Sequence, residues 1–318
     1  MIKSTLRRFY LYAAFSLITL FNLHAEFNFI PQVDFGMLQL EKETFLYSSS
    51  GCLQFKYQKE EDSAAKGPDV IAGSFSYGQD FFSKNVTDYS ETHFHKLGLF
   101  GKIVFGKKTF LLKLDDRGAK PFESYKSFEG LLFYSRKLID TDSTQLDFGG
   151  GLAATDTGIV LGGINLFLVP LPMIHFSYKN QIIEAEMEWI GMPDAIITVF
   201  PQGVLRIRGS FALAGFDLPK DIQGDLALYF YPFTEGFLKD LASISAGTSH
   251  EVKKLRINTE NSLKYDYFTA YGQLSITALT VRVGYAFGGR RNVRGRDSKY
   301  TKAYDGGFFA TLQAMYKF

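Results

Sequence analysis

Covalent and metal cross-links have little to work with in this chain. A single cysteine, Cys52, among 318 residues excludes a disulfide within one copy. The fold must therefore be held by backbone hydrogen bonds and burial, and a lone cysteine inside an alternating run is read as a space-filling side chain. Proline is also scarce, at nine residues. Pro170, Pro172, Pro193, Pro201, Pro219 and Pro232 sit where apolar runs end, which suits turns and not helix interiors. Net charge is nearly absent, 35 basic residues standing against 33 acidic ones. After the first two dozen residues no stretch approaches the 18 or more apolar residues of a membrane-spanning helix, and sustained helical periodicity is missing.

The apolar run that does exist lies at the start. Lys3, Arg7 and Arg8 precede an apolar segment from Tyr10 to Leu23, and Leu23-His24-Ala25 before Glu26 has the small residue that a signal-peptidase site requires. Residues 1–25 are expected to be an export signal, with residues 26–318 as the mature chain. No cysteine stands at the cleavage point, which argues against a lipid anchor. Removing the signal takes away three basic residues and no acidic one, so 32 face 33 and the net charge becomes −1, a balance that argues against nucleic acid as a partner.

What the mature chain has in quantity is aromatic residues, 16% of the total, and glycine, 30 residues, arranged in runs of strict alternation. Leu53, Phe55 and Tyr57 alternate with Cys52, Gln54 and Lys56; Leu205, Ile207, Gly209 and Phe211 alternate with Arg206, Arg208 and Ser210. Period two means strands with one apolar face. The segment 173–189 gives a sharper expectation. With Asn180-Gln181 as a two-residue turn, Lys179 faces Ile182, Ser177 faces Glu184, His175 faces Glu186 and Met173 faces Glu188, while Tyr178, Phe176 and Ile174 meet Ile183, Ala185 and Met187 on the other face. A slip of one residue would mix the two faces.

Such strands can close as a soluble sandwich, apolar face inward, or as a membrane barrel, apolar face towards lipid, and the export signal, the glycine and aromatic content and the final strand together favour the second. Phe308, Ala310, Leu312, Ala314, Tyr316 and Phe318 alternate to the last residue. This pattern, behind an export signal, resembles the C-terminal signature of bacterial outer-membrane β-barrels. The resemblance implies an all-β transmembrane antiparallel barrel, apolar side chains towards lipid and charges towards the lumen, and a last strand (Leu312, Tyr316, Phe318) read by the barrel-assembly machinery. About 14 strands are expected, within a range of 12 to 16. Residues 288–307 and 247–261 are read as long outer loops, 79–92 and 116–127 as further long connections, and 278–280 as a tight inner turn.

The expected function is a passive pore for small polar solutes. Glu184, Glu186 and Glu188 lie on one strand face, Arg206 and Arg208 on the next strand but one, about 10 Å away, and His175 and Lys179 flank the acidic row. Two readings stay open: a transverse field at a constriction, or an internal salt-bridge network that fills a narrow barrel. A non-conducting structural or ligand-binding barrel is the alternative, and a lipid hydrolase is a third reading. His175-Phe-Ser177 resembles the dyad of outer-membrane phospholipases, but its expected face is the lumen. His93 and His95 have strand-like metal spacing without a third ligand, and are read as rim residues. Arg290, Arg291, Arg294 and Arg296 in the stretch 288–307 are the expected contact for lipopolysaccharide phosphates or other anions. Neither a metal nor a cofactor is expected.

Overall fold

The structure is a computed structural model that describes residues 25–59, 67–84, 92–120, 122, 128–154, 160–161, 164–165, 168–190, 192–214, 221–235, 240–258, 261–294 and 299–316. The export-signal residues before Ala25, and Arg296 and Phe318, lie outside the described residues. The strands in chain order are β1 (Ala25–Glu41), β2 (Thr44–Lys59), β3 (Val70–Phe82), β4 (His93–Phe105), β5 (Lys108–Gly118), β6 (Phe128–Asp140), β7 (Thr144–Ala154), β8 (Val160–Leu161), β9 (Ile164–Asn165), β10 (Leu168–Lys179), β11 (Ile183–Ile190), β12 (Met192–Val199), β13 (Leu205–Leu213), β14 (Ile222–Phe230), β15 (Ala242–Arg256), β16 (Ser262–Ile276), β17 (Leu279–Arg294), β18 (Lys299–Tyr304) and β19 (Gly307–Met315).

Each strand from β1 to β7 pairs antiparallel with the next, β7 pairs with β10, and the series continues to β17 and β19. The last strand returns to the first, Gln32 opposite Met315 and Leu38 opposite Phe309, so the sheet closes on itself. β18 continues the line of β19 above a break at Asp305-Gly306 and pairs with the upper part of β17; β8 and β9 form a separate small hairpin. The wall therefore has sixteen strands, and the expectation of about fourteen was two short. Sixteen being even, β1 starts and β19 ends at the same rim.

Closure works because only even registers keep a strand's apolar face outward, and every pair in the ring adopts one. Each of the sixteen wall strands carries at least one large apolar side chain exposed on the outside, for example Phe35, Phe75, Leu132, Trp189, Ile207, Leu228 and Val283. Along β17 the outward apolar series runs from Leu279 to Phe287. Eight steps of about 3.3 Å on a strand tilted by some 40° make a band roughly 20–25 Å tall, the height of a membrane's apolar layer. Above that band the outer face changes character. His250 stacks on Phe268 with ring centroids 4.4 Å apart, Asp266 takes Arg290 at 3.2 Å, and Asp221 pairs with both Lys254, at 2.8 Å, and Lys264. Charged strand ends of this kind stand clear of lipid.

This corrects the loop expectations. The stretch 288–307 is a hairpin of β17 and β18, with only 295–298 between them, and β15 runs through to Arg256 in what was read as the loop 247–261. Likewise β3 reaches Phe82 and β5 reaches Gly118. The turn after Ile276 is tight, as expected, and so is the one after Phe105, where Gly106 adopts φ +55°. The hairpin 173–190 is shifted by two residues from expectation. Lys179 faces Glu184, Ser177 faces Glu186, His175 faces Glu188 and Met173 faces Ile190. The reason is the Asn180 side chain. Its Oδ1 accepts hydrogen bonds from the backbone N–H of Ile182 and of Ile183, so Asn180 opens the turn as its first residue instead of occupying the centre. A slip of two leaves both faces unchanged, which is why the sorting of side chains survives the wrong register.

The interior is not uniform. One apolar cluster joins inward-facing side chains from two neighbouring arcs of the ring: Leu38, Leu46, Phe82 and Phe94 on β1 to β4, and Leu255, Leu263, Tyr265 and Val293 on β15 to β17. Phe82 meets Tyr265 edge-on at 6.1 Å across the interior. A second cluster, Leu111, Leu131, Phe133, Ala153 and Met173, follows the inner wall from β5 to β10.

Candidate functional site: the lumenal charge cluster

Between these clusters and the rim that carries β1's start, the strands β10 to β14 present a polar inner wall. It lines a cavity of about 510 Å³ that includes Ser177, Lys179, Glu184, Glu186, Thr198, Arg206, Arg208, Tyr229 and Tyr231. Alternation explains the grouping: the odd residues of β10 and the even residues of β11, β12 and β13 all turn inward. Pairing sets their heights. Glu184 stands level with Thr198 and Arg208, Glu186 with Ile196 and Ser210, and Glu188 with Asp194 and Ala212.

Of the residues expected here, Glu184, Glu186, Lys179, Arg206 and Arg208 share the cavity, whereas Glu188 and His175 stand deeper, beside one another. Their partnerships differ. Lys179 approaches Glu184 at 3.5 Å. Arg206 is tied down: its Nε donates to the Gly203 carbonyl at 3.0 Å, its guanidinium pairs with Asp240 and lies 3.7 Å over the Tyr231 ring, and its side chain is 12% exposed. It braces the rim and does not reach towards the glutamates. Arg208, Glu186 and Glu188 make no ion pair among the described residues, so they are not joined to the Lys179–Glu184 and Arg206–Asp240 pairs.

Four functional groups escaped the sequence reading. Asp194 on β12 directly faces Glu188, and Asp147 on β7 faces His175, so the deep acidic row is wider than one strand. On the far side, Lys102 of β4 lies within electrostatic reach of Glu188, and Lys113 of β5 within reach of Asp194. The bases opposite the acids are thus lysines five or more strands away in sequence order, which only closure reveals. Lys113 is itself held at 3.1 Å by Asp115.

The other singled-out groups separate cleanly. His175 faces Glu188 and Asp147, and Ser177 faces Glu186 instead of Glu184; no hydrogen bond joins His175 to Ser177 among the described residues. His93 and His95 project outward, His93 against the Phe81 ring at 4.5 Å and His95 against Tyr77, whose hydroxyl meets Nδ1 at 2.9 Å. No group of three potential metal ligands gathers among the described residues. Arg290 lies on the outside of β17 with Asp266, and Arg291 and Arg294 belong to the same strand. Leu312 and Phe308 are exposed on the outer face of β19, and Tyr316 follows at its end.

Glycine at one position makes the inner wall possible. Gly247 on β15 lies opposite Tyr271, and a Cβ there would stand 2.8 Å from the ring's Cζ. Without that Cβ the Tyr271 ring lies across β15 and its hydroxyl donates to Asp225 of β14 at 2.7 Å. Arg282 caps the other side of the ring at 4.0 Å.

No family model matches the chain, and no curated protein matches it. Solved structures do. The Acinetobacter baumannii protein OccAB4 aligns over 93% of this chain and 99% of its own, with 9% identity and a TM-score of 0.37. A triple mutant of the Rhodopseudomonas blastica porin aligns over 92% and 100%, with 8% identity and a TM-score of 0.41. OccAB3 of Acinetobacter baumannii aligns over 92% and 99%, with 9% identity and a TM-score of 0.42. Likenesses so distant leave function to be read from the wall itself. That wall, a closed ring of sixteen antiparallel strands with an apolar exterior, makes the chain an outer-membrane-type β-barrel.

Proposed function

We propose that this protein is a passive pore for small polar solutes in the outer membrane of a double-membraned bacterium. The observation that carries this reading is the set of inward charges without ion-pair partners among the described residues, Glu186, Glu188 and Arg208, along and just beyond the 510 Å³ cavity. Ionised groups inside a membrane barrel are costly unless water or an opposite charge meets them. Here the acids of β11 and β12 stand on one wall and Lys102 and Lys113 on the other, so a solute between them experiences a field across its path.

The remaining parts of the chain fit that setting. Residues 1–25 serve as the export signal, Leu312, Tyr316 and Phe318 are the residues that the assembly machinery reads, and Arg290, with Arg294 and Arg296, serves the headgroup phosphates of lipopolysaccharide; Arg291, paired opposite the inward Tyr265, lies on the inner face and drops out of that set. The test is reconstitution of the purified protein in a planar bilayer. Stepwise current increments in salt support the pore; a folded barrel without them supports the non-conducting alternative. The hydrolase reading finds no such support, because His175 and Ser177 face the lumen and not the lipid.

A further inference from the structure

Gly118 at the end of β5 and Arg256 at the end of β15 are paired in parallel, and the Ala119 N–H donates to the Arg256 carbonyl at 2.9 Å. Around the ring β5 and β15 are eight strands apart in either direction. A round sixteen-strand barrel at 4.8 Å spacing and 40° tilt is roughly 30 Å across. Two diametrically opposite strand ends therefore meet in the middle of the mouth, at the rim away from the chain ends.

This contact divides the ring into nine strands, β15, β16, β17, β19 and β1 to β5, and the seven from β6 to β14. The nine-strand side is filled at that end. Leu46, Phe82, Phe94, Leu255, Leu263 and Tyr265 are each at most 2% exposed, and Ala119 packs against them. The seven-strand side has its own buried inner-wall cluster, Leu131, Phe133, Ala153 and Met173, but it also carries, towards the opposite rim, exposed interior groups, Glu186, Arg208 and Ser210 among them.

We propose that the β5–β15 contact is a fixed partition of the mouth, sealing the nine-strand lobe and routing solutes through the seven-strand lobe past the acids of β11 and β12. This inference rests on the pore reading for its solute, but the partition itself is a property of the folded barrel. It assigns Gly118, Ala119 and Arg256 a role in choosing the path, and it makes Glu186, Glu188 and Asp194 side chains that every permeant meets.

The test uses the full barrel with the native thiol removed by Cys52→Ser. Oxidation of Gly118→Cys/Arg256→Cys is expected to give an intramolecular cross-link, seen as altered mobility on a non-reducing denaturing gel, with single-channel conductance unchanged. Absence of the cross-link, or a fall in conductance to half or less when it forms, overturns a fixed partition. In parallel, Ser210→Cys in the open lobe should react with a bulky charged thiol reagent at least about tenfold faster than Leu46→Cys in the sealed one, because thiol reactivity follows access. Equal labelling rates in the folded protein overturn the partition whether or not current is seen. A normal labelling contrast in a protein that passes no current overturns the pore reading instead.

Discussion

Replacing Glu186 and Glu188 together by glutamine removes from the lumenal wall two charges that have no ion-pair partner among the described residues, while keeping shape and hydrogen-bonding capacity. A monovalent ion passing about 7 Å from one carboxylate in water interacts with it by about 0.6 kcal/mol, and screening at 0.1 M salt roughly halves that. About 0.3 kcal/mol enriches a cation by a factor of about 1.7 and depletes an anion equally, or about threefold in their ratio for each charge. The double substitution E186Q/E188Q is therefore expected to lower the cation-to-anion permeability ratio about eightfold. The assay is the reversal potential of single channels under a salt gradient, read before and after substitution, with heat-dependent gel mobility to establish that the variant is folded. A conducting variant whose reversal potential is unmoved would place these two side chains off the conduction path and refute the argument from lumenal charge.

Other outcomes follow from the same geometry. Neutralising Arg208 alone, as R208Q, should move the reversal potential in the opposite sense, because that side chain shares the cavity and has no ion-pair partner among the described residues. Arg206→Ala should instead cost about 2 kcal/mol of stability through loss of its charged hydrogen bonds and its place over Tyr231, measured as a lower denaturant midpoint, and Arg206→Lys should recover little of it. Phe82→Ala removes a ring that is 1% exposed and touches both Phe94 and Tyr265, so a loss of about 3–5 kcal/mol is expected in the same measurement. Gly247→Val should displace the Tyr271 ring and break its bond to Asp225, costing about 2–3 kcal/mol, whereas Gly101→Val, where a Cβ meets nothing within 4 Å, should be mild by comparison.

The sorting of faces was legible from period two alone. In the hairpin 173–190 the acids and the histidine turn inward and Met187 and Trp189 outward, even though the pairing differs by two residues, since only an odd slip would exchange the faces. What the pattern could not fix was the turn, where Asn180 binds backbone N–H groups two and three residues ahead. Strand ends were misread as loops for a related reason. Above the apolar band the outer face of β15 to β17 carries His250, Lys254, Asp266 and Arg290, so the alternation stops although the backbone ladder does not. Contacts across the ring, Lys102 towards Glu188 and Gly118 against Arg256, depend on closure and leave no trace in local sequence.

The seam where Gln32 meets Met315 also governs how such a wall can come into being. Every other neighbouring pair of wall strands is contiguous or nearly so along the chain and can zip locally, but this one joins segments separated by almost the whole polypeptide, so its entropic cost falls at the end of folding. Until it forms, β1 and β19 each offer a bare row of amides and carbonyls to any passing strand. A copy lacking β19 should therefore be prone to mispairing and fibrillar aggregation even though the other fifteen wall strands keep their sequence.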